Sequence, residues 1–392
     1  MRINRMCLAV ALTVAAGLCL APLTRAALPS DPLPSDIGSS EASVILSMPA
    51  SKHWIWVNDF VFPHMVDGRA SLVDGDSGRY LGMLSTGFGS GRLVPASDGK
   101  VLYSAESYFS RGNRGKRSDV VTLYDTKTLE VITEIPIPPK RASNTPAMGN
   151  AVLTDDDRFL LIFNFNPGSS VSVVDTANRK FVGEIETPGC ALIFPTGRRS
   201  FFTLCGDGGA LVVELNKDGG ALRQSRTAPL FDADHDPVAE RPVRVGDTWY
   251  FVTYDGRVVP VHTTRQGLAA GEGWWLASAA ERKDGWRPGG LQQLAVHVGQ
   301  NRLYALMHRG NRDTHKDPGK DVWAYDLASR QRVSKFSTRD LATSIQLSTD
   351  AKPLFYSVFA DSDKLDVYDP DTGALLRTVD SVGTTPTLLV TP

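Results

Sequence analysis

The chain repeats one pattern of apolar and polar positions along most of its length. A run of alternating or wholly apolar residues ends in a polar residue, turns, and is followed by a second run of the same kind. Alternation with a period of two is typical of half-buried strands, and short polar turns between such runs predict β-hairpins. Seven copies occur, and their turns begin at Asp74, Asp125, Asp175, Glu214, His262, Asp326 and Asp369.

Several copies are preceded by a second hairpin signal, in which Asp, Gly and Lys separate β-branched and aromatic runs. Examples are ASDGKVLYSA, LTDDDRFLLIFN and LSTDAKPLFYSV. Two hairpins in each unit of roughly 40–50 residues are typical of a four-stranded propeller blade. The sequence therefore predicts an all-β fold, a seven-bladed β-propeller of four-stranded blades.

The two ends of this region predict how the propeller closes. Residues 53–62 form a strand before the first copy, and TPTLLVT lies after the last copy with no partner of its own. Pairing the N-terminal and C-terminal strands in one blade would remove two open sheet edges. The longest gap, between His262 and Asp326, holds an insertion in which WLASAAERKDGW predicts a short helix.

The N-terminus has the pattern of an export signal. Arg2 and Arg5 precede an apolar run, and small residues precede a predicted cleavage point after Ala26. We therefore expect a signal peptide over residues 1–26, a flexible leader rich in Pro, Ser and Asp over 27–49, and the propeller domain over 50–392.

The charge balance argues against a nucleic-acid-binding protein. The whole chain has a formal net charge of −1, and removing residues 1–26, which hold three arginines and no acidic residue, makes it −4. A nucleic-acid-binding domain is normally basic. No apolar run after the signal approaches the length of a membrane span.

Two cysteines remain after export, Cys190 and Cys205. They lie 15 residues apart, and a Pro-Thr-Gly turn between two apolar runs predicts a hairpin that brings them together. In an oxidising compartment such a pair is expected to form a disulfide. The alternative is two unpaired buried thiols.

A search for catalytic motifs finds none. No two histidines have HExxH spacing, and the sequence contains no GxSxG elbow and no P-loop. The DADHD stretch resembles the start of a calcium loop, but Pro237 and Val243 stand where glycine and glutamate are required. We expect no metal and no catalytic residue in this chain, which favours a scaffold for a ligand or a partner.

The segment SYFSRGNRGKRSD is the most unusual stretch. Arg111, Arg114, Lys116 and Arg117 follow the aromatic pair Tyr108 and Phe109. Arginine and aromatic residues are enriched at protein–protein interfaces, so we interpret the segment as a partner contact. A solvated basic turn is the alternative, and nucleic acid ranks last.

Several segments together resemble the large subunit of the quinoprotein amine dehydrogenases. They run in order from about residue 50 to the end: SRGNRGKRSDVVTLYD, IPPKR, CALIFPTGRRSFFTLCGDGG, QSRT, KDGWRPGG and THK. GKRSDVV, CGDGG, QSR and THK resemble the aromatic-amine branch, and YFSR resembles the methylamine branch. The balance slightly favours aromatic amines and leaves the preferred amine open.

The resemblance implies a function that this chain does not perform alone. It implies two propeller subunits assembled with two small subunits in the periplasm, with tryptophan tryptophylquinone and the catalytic aspartate in the small subunit. A primary amine would be oxidised to aldehyde and ammonia, and electrons would pass to a blue-copper protein of the azurin or amicyanin type. The protein would supply binding and walls while the cofactor supplies the chemistry.

The resemblance also assigns residues. It makes Phe109 a wall of the substrate channel and puts Phe88, in TGFGS, on a second pocket-lining loop, although ordinary blade packing could explain both. Partner-subunit contact is expected from seven residues: Tyr108, Arg111, Arg114, Lys116, Arg117, Trp286 and Arg287. The alternative function is a stand-alone periplasmic propeller that binds a ligand or another protein.

Overall fold

The repeated hairpins fold into seven antiparallel sheets, the blades of a β-propeller. The computed structural model describes residues 50–89, 91–264 and 267–392. Its seven blades confirm the fold and the blade count predicted from the repeats. The predicted signal peptide (1–26) and leader (27–49) lie outside the described residues.

The strands follow one another blade by blade along the chain. Blade 1 contains β1 (Trp54–Asp59), β2 (Gly68–Asp74) and β3 (Tyr80–Gly87), and blade 2 contains β4 (Leu93–Pro95), β5 (Val101–Arg111), β6 (Arg114–Asp125) and β7 (Val131–Ile137). Blade 3 contains β8 (Ala151–Leu153), β9 (Phe159–Asn164), β10 (Ser170–Asp175) and β11 (Lys180–Glu186), and blade 4 contains β12 (Cys190–Pro195), β13 (Ser200–Cys205), β14 (Ala210–Leu215) and β15 (Ala221–Arg226).

The remaining blades include the insertion. Blade 5 contains β16 (Val238–Val245), β17 (Thr248–Thr253), β18 (Arg257–Thr264), β19 (Gly267–Ala270) and β20 (Trp274–Trp275). Blade 6 contains β21 (Trp286–Pro288), β22 (Leu294–His297), β23 (Arg302–Arg309), β24 (Gly319–Asp326) and β25 (Arg332–Ala342). Blade 7 contains β26 (Ser344–Leu347), β27 (Phe355–Val358), β28 (Leu365–Tyr368) and β29 (Leu375–Val379), and the last strand, β30 (Pro386–Val390), returns to blade 1.

Middle strands of the blades are more buried than outer ones. Every residue of β9 and β10 is buried, whereas most of β15 is exposed. Inner strands are covered on both sides by neighbouring blades, and this explains why their sequences are apolar runs rather than alternating ones. Between blades 4 and 5 the ring of Phe194 lies 5.2 Å from that of Phe202 and 5.4 Å from that of Phe251. Each such buried ring contributes roughly 1.5–3 kcal/mol.

Blade 1 closes the ring with strands from both ends of the chain, as predicted. The strand β30 pairs antiparallel with β1, and Val57 lies opposite Leu389. The buried carboxylate of Asp59 accepts backbone hydrogen bonds from Thr384 at 2.6 Å and from Thr385 at 2.8 Å. The C-terminal strand is therefore held by charge-assisted hydrogen bonds as well as by its ladder.

The insertion between His262 and Asp326 forms the predicted helix, α1 (Ala279–Lys283). Ser278 accepts from the backbone of Glu281, and the Glu281 side chain accepts from the backbone of Ser278, which is a capping box. The insertion also adds β20 to blade 5 and β21 to blade 6, so these two sheets have five strands. Four short 3-10 helices are described: Phe62–Asp67, Met148–Asn150, Val298–Gln300 and Arg312–Thr314.

The connections divide between two faces of the propeller because successive strands are antiparallel. One face, here called the hairpin face, carries the β5–β6 turn at residues 112–113 and the connections from each outer strand to the next blade. The equivalent turns between the second and third strands of the other blades lie on this face too, whereas the opposite face carries the turns from first to second and from third to fourth strand and both ends of the described chain. Among the described residues, no helix is long and apolar enough to cross a membrane.

Candidate functional site

The basic segment of the sequence forms the tip of the β5–β6 hairpin. Gly112 and Gly115 have positive φ values of 72° and 96°, a backbone conformation that glycine adopts without strain. Arg111 and Arg114 lie opposite each other in the ladder, and both are exposed, as is Lys116. None of these three cations forms an ion pair with another described residue. The tip therefore presents uncompensated positive charge on the hairpin face.

The fourth cation, Arg117, is directed into the protein instead. Its guanidinium binds both carboxylate oxygens of Asp119, at 2.7 and 2.8 Å, and also donates to the carbonyl of Arg141 at 2.8 Å. The Asp119 side chain is fully buried. A bidentate pair of this kind fixes geometry as well as charge, so Arg117 braces the base of the hairpin.

Arg141 connects this brace to the loop that carries Phe88. It is buried, donates from Nε to the Ser107 hydroxyl at 2.8 Å, and donates from Nη2 to the Phe88 carbonyl at 3.1 Å. Burial lowers the pKa of Arg141 to about 10, and the nearby Asp119 carboxylate opposes that shift. The guanidinium therefore stays charged at neutral pH and holds two connections of the hairpin face together.

The two predicted channel residues lie side by side. The ring of Phe88 contacts that of Phe109 edge to face, with centroids 5.1 Å apart and an interplanar angle of 74°. Both side chains are only half-buried, and the Phe88 backbone N–H donates to the Ser107 carbonyl at 2.8 Å. An edge-to-face pair is worth about 0.5–1.5 kcal/mol beyond burial. The pair forms an ordered aromatic wall at the surface rather than part of the blade core.

A buried carboxyl, Glu106, lies on the same strand as Phe109, three residues before it. It accepts hydrogen bonds from the hydroxyls of Tyr108 at 2.7 Å, Thr122 at 2.6 Å and Tyr124 at 3.0 Å. Burial raises the pKa of Glu106, while these hydrogen bonds act in the opposite direction. Sequence reasoning missed Glu106, although an acid in the middle of the predicted strand VLYSAESYF was the available signal.

Glu106 also orients Tyr108, one of the predicted partner contacts. The Tyr108 hydroxyl is held by the buried carboxyl, while 39% of the residue remains exposed on the hairpin face. Burial and the neighbouring Glu106 raise the pKa of Tyr108 well above its usual range. The tyrosine is thus neutral, and its hydroxyl is anchored while part of the residue is open to solvent.

A groove of about 780 Å³ opens beside the hairpin on the same face. Arg117 and Arg141 form one side of it, and Phe163, Phe165 and Arg241 are among the residues that complete its lining. Phe165 is 70% exposed, which is unusual for a large apolar side chain. Exposed apolar surface rimmed by polar groups marks protein–protein interfaces and ligand grooves.

Trp286 and Arg287 lie apart from the basic hairpin, in blade 6. The ring of Trp286 packs 5.2 Å from that of Trp323. Arg287 forms an ion pair with Asp255 at 3.4 Å. The structure therefore brings together Phe88, Phe109 and the hairpin, and does not bring Trp286 and Arg287 to the same cluster.

The predicted disulfide is present. Cys190 and Cys205 are bonded, and they lie directly opposite each other in the β12–β13 ladder. Within the described ranges, no group of three or more His, Cys, Asp or Glu residues could hold a metal ion. The hairpin face thus offers charge, aromatic surface and a groove.

These features define a class: a seven-bladed propeller with exposed cations, half-buried aromatic rings and a groove on its hairpin face. The sequence profile described as methylamine dehydrogenase heavy chain (MADH) matches residues 51–392. The chain belongs to the methylamine dehydrogenase heavy chain family.

Curated relatives agree with this assignment. The methylamine dehydrogenase heavy chain of Methylophilus methylotrophus is 31% identical over 389 residues, which cover 96% of this chain and 95% of the relative. The heavy chain of Paracoccus versutus is 31% identical over 360 residues, covering 90% of this chain and 83% of the relative.

Solved structures share the fold alone. The periplasmic gluconolactonase of Pseudomonas aeruginosa superposes with a TM-score of 0.60 at 18% identity, covering 86% of this chain and 99% of that chain. Dihydro-heme d1 dehydrogenase superposes with a TM-score of 0.53 at 14% identity, covering 88% of this chain and 76% of that chain. Because such different activities share one scaffold, the fold does not identify the reaction.

Proposed function

We propose that this chain is the large subunit of a periplasmic, tryptophan tryptophylquinone-dependent amine dehydrogenase. The observation that supports it most directly is the match to the heavy-chain family over residues 51–392. The N-terminal export pattern and the Cys190–Cys205 disulfide support an oxidising compartment. The assembly would contain two copies of this chain and two small subunits.

The hairpin face is the proposed docking surface for the small subunit. The exposed Arg111 and Arg114 at the hairpin tip, together with the exposed Tyr108 and Phe165, provide the mixture of Arg and aromatic surface that interfaces favour. The internal Arg117–Asp119 brace keeps the hairpin in one orientation before docking. A preorganised hairpin reduces the ordering cost of association.

The Phe88–Phe109 pair is the proposed wall of the amine's access route. An ordered aromatic pair limits the size of a substrate that passes it and excludes water from the reacting centre. The quinone of the small subunit would supply the two-electron oxidation of the amine to aldehyde and ammonia. This chain positions the wall, and a blue-copper protein of the azurin or amicyanin type would receive the electrons.

Methylamine is the first substrate to test. The relatives named above are methylamine dehydrogenase heavy chains, whereas the short motifs GKRSDVV, CGDGG and QSR resemble the aromatic-amine branch. The rings of Phe88 and Phe109 are only half-buried, so the pocket beside them can be narrow, as for methylamine, or wider, as for an aromatic amine. Sequence similarity does not say which of the two sizes applies. A comparison of methylamine with a phenylethylamine would decide between the two branches.

The decisive experiment is reconstitution of this chain with an amine dehydrogenase small subunit from the same organism. We expect the co-expressed complex to show the visible absorption of a protein-bound quinone, and to reduce a dye when amine is added. The isolated chain should do neither. A stable chain that captures no small subunit, or amine-dependent dye reduction by the isolated chain, would favour the alternative of a stand-alone periplasmic propeller or another activity.

A further inference from the structure

The propeller has a cavity at its centre that the proposed amine chemistry does not use. The inner strands β4, β8, β12, β16, β22 and β26 enclose about 330 Å³. This volume lies within the range of small-molecule sites. Its walls include apolar side chains such as Val94, Ile193 and Leu294, together with Arg92, Arg241, Arg244, Gln292 and Gln346.

The charges on this lining are unbalanced. Three arginines line the cavity, and no Asp or Glu is among the described residues that do so. Arg244 is neutralised, because its two terminal nitrogens bind the carboxylate of Asp155 at 2.6 and 2.8 Å. Neither Arg92 nor Arg241 forms an ion pair within the described part of the chain. The cavity therefore has two guanidiniums that no carboxylate contacts, and the nearest acidic influence is that of Glu240, which acts on Arg241 from the adjoining groove.

Both unpaired guanidiniums also have an unused buried donor. Arg92 donates from Nη1 to the carbonyls of Met148 and Ala151, and Arg241 donates from Nη2 to the Pro146 carbonyl at 3.2 Å. The Nε atom of each is buried and has no hydrogen-bond partner. A buried polar group without a partner is costly, and a buried unpaired charge more so.

Burial disfavours the charged form of both groups. It lowers the pKa of Arg92 to about 10 and lowers that of Arg241. At neutral pH Arg92 therefore remains protonated in a site that opposes its charge. Such an arrangement is stabilised when an anion enters, because guanidinium and oxyanion form paired, charge-assisted hydrogen bonds.

We propose that the central cavity is a binding site for a small oxyanion, held by the guanidiniums of Arg92 and Arg241. Phosphate and a short carboxylate share the required chemistry, two oxygens that can accept from one guanidinium. Each arginine also borders a second cavity. Arg241 lines the groove on the hairpin face, and Arg92 lines a cavity of about 480 Å³ with Lys52, Ser97 and Thr391 on the opposite face.

These two cavities lie on opposite faces of the propeller. The site is separate from the proposed amine reaction, since the hydrogen bonds of both arginines go to backbone carbonyls away from Phe88 and Phe109. It remains testable whatever the activity of the assembled protein.

The test starts from the full chain in a buffer whose only inorganic anion is chloride. Inorganic phosphate and succinate are titrated separately at constant ionic strength, with calorimetry and thermal unfolding as readouts. We expect saturable 1:1 binding and a rise in Tm for at least one of them. Preference between the two distinguishes a phosphate site from a carboxylate site, and no saturable binding of either overturns the proposal.

Variants then locate the binding. Arg92→Gln and Arg241→Gln should each weaken the affinity at least ten-fold. Arg244→Gln, the matched control, removes a charge from the same lining that Asp155 already neutralises, and should change the affinity less than three-fold. An equal loss of anion affinity in all three variants would mean that the anion responds to the overall positive charge of the cavity and not to a specific binding site. That result would also overturn the proposal.

A structural readout covers the case in which a variant fails to fold. Crystals of the unmodified chain soaked in selenate should show an anomalous peak in the central cavity next to Arg92 and Arg241. Anomalous peaks only on the outer surface would contradict the assignment, whatever the variants do.

Discussion

The guanidinium of Arg117 binds both oxygens of the buried Asp119 carboxylate, although Arg117 belongs to a run of cations whose other members face solvent. One basic segment therefore contains two kinds of cation. Three are available to a partner, and the fourth holds the hairpin that carries them. The consequences of substituting them should differ accordingly.

The three exposed cations should act on association. Replacing Arg111, Arg114 and Lys116 together by Gln is expected to weaken small-subunit binding, mainly through a slower on-rate. The loss should shrink as salt rises from 50 to 500 mM, because exposed charges are screened. A titration of the small subunit at the two salt concentrations measures it. If variant and wild type bind the small subunit with equal affinity at low salt, the hairpin tip is a solvated turn and not a partner contact.

Arg117→Gln should act on folding stability instead. The change leaves the fully buried Asp119 carboxylate without its guanidinium, and a hydrogen bond to a charged group is worth about 1.5–3 kcal/mol. We expect a loss of that order in the free energy of unfolding, measured by urea denaturation. Arg114→Gln is the matched control and should change stability by less than about 0.5 kcal/mol. Similar losses of stability in Arg117→Gln and Arg114→Gln would contradict the distinction between a structural cation and exposed ones.

Phe109→Ala should change the choice of amine. Removing one ring of the Phe88–Phe109 pair enlarges the proposed access route, so the ratio of kcat/KM for phenylethylamine to that for methylamine should rise. A pocket-wall change of this kind is worth roughly 1–3 kcal/mol, or about 5- to 150-fold. Steady-state kinetics on the assembled complex provide the measurement. Phe165→Ala, which removes an exposed ring elsewhere on the same face, should leave the ratio unchanged.

Two results bear on that interpretation. An unaltered ratio in correctly assembled Phe109→Ala would return Phe109 to ordinary packing between loops. A matching shift in Phe88→Ala would support a wall formed by both rings, because their edge-to-face contact holds each in place.

Cys205→Ser should lower the free energy of unfolding by about 2–5 kcal/mol. The bond joins opposite residues of the β12–β13 ladder and closes a loop with a sequence separation of 15. Intact-mass analysis of protein from the native compartment should find both cysteines oxidised. Two free thiols in that protein would contradict the structure.

His53 predicts a pH dependence of stability on the opposite face. Burial opposes its charge, but the Asp76 carboxylate at 2.7 Å and the Asp350 carboxylate at 3.2 Å outweigh it and raise the pKa of His53 above 6.5. Because the folded-state pKa is the higher one, this contribution is fully present below about pH 6.5 and is lost as pH rises through the folded-state value. The stability difference between wild type and His53→Asn should therefore be largest near pH 5.5 and shrink toward pH 8.5.

The control for this prediction is His235→Asn. His235 also contacts an aspartate, Asp232, but its side chain is 83% exposed, so its removal should have little effect at any pH. A difference between wild type and His53→Asn that stays constant from pH 5.5 to 8.5 would exclude titration of His53 as the cause.

The sequence by itself determined the features that depend on local pattern. Seven hairpin repeats predicted seven blades, because a period-two pattern and a tight turn specify a hairpin without reference to the rest of the chain. The pairing of β1 with β30 and the Cys190–Cys205 disulfide were also predicted from local sequence patterns. An unpaired terminal strand needs an edge, and a 15-residue hairpin brings its ends together.

Only the tertiary structure decided which side chains meet. Arg117 reads like its basic neighbours in the sequence, yet the fold turns it toward Asp119. In the sequence Glu106 is a single acid within a strand, and only the fold brings the hydroxyls of Tyr108 and Tyr124 to it. Arg92 and Arg241 are about 150 residues apart in the chain, and only the closed ring of blades puts both in the lining of one cavity. Such contacts depend on how blades pack against one another. The hydrophobic pattern of a strand specifies which face is buried, but not which charged group of a distant blade it will face.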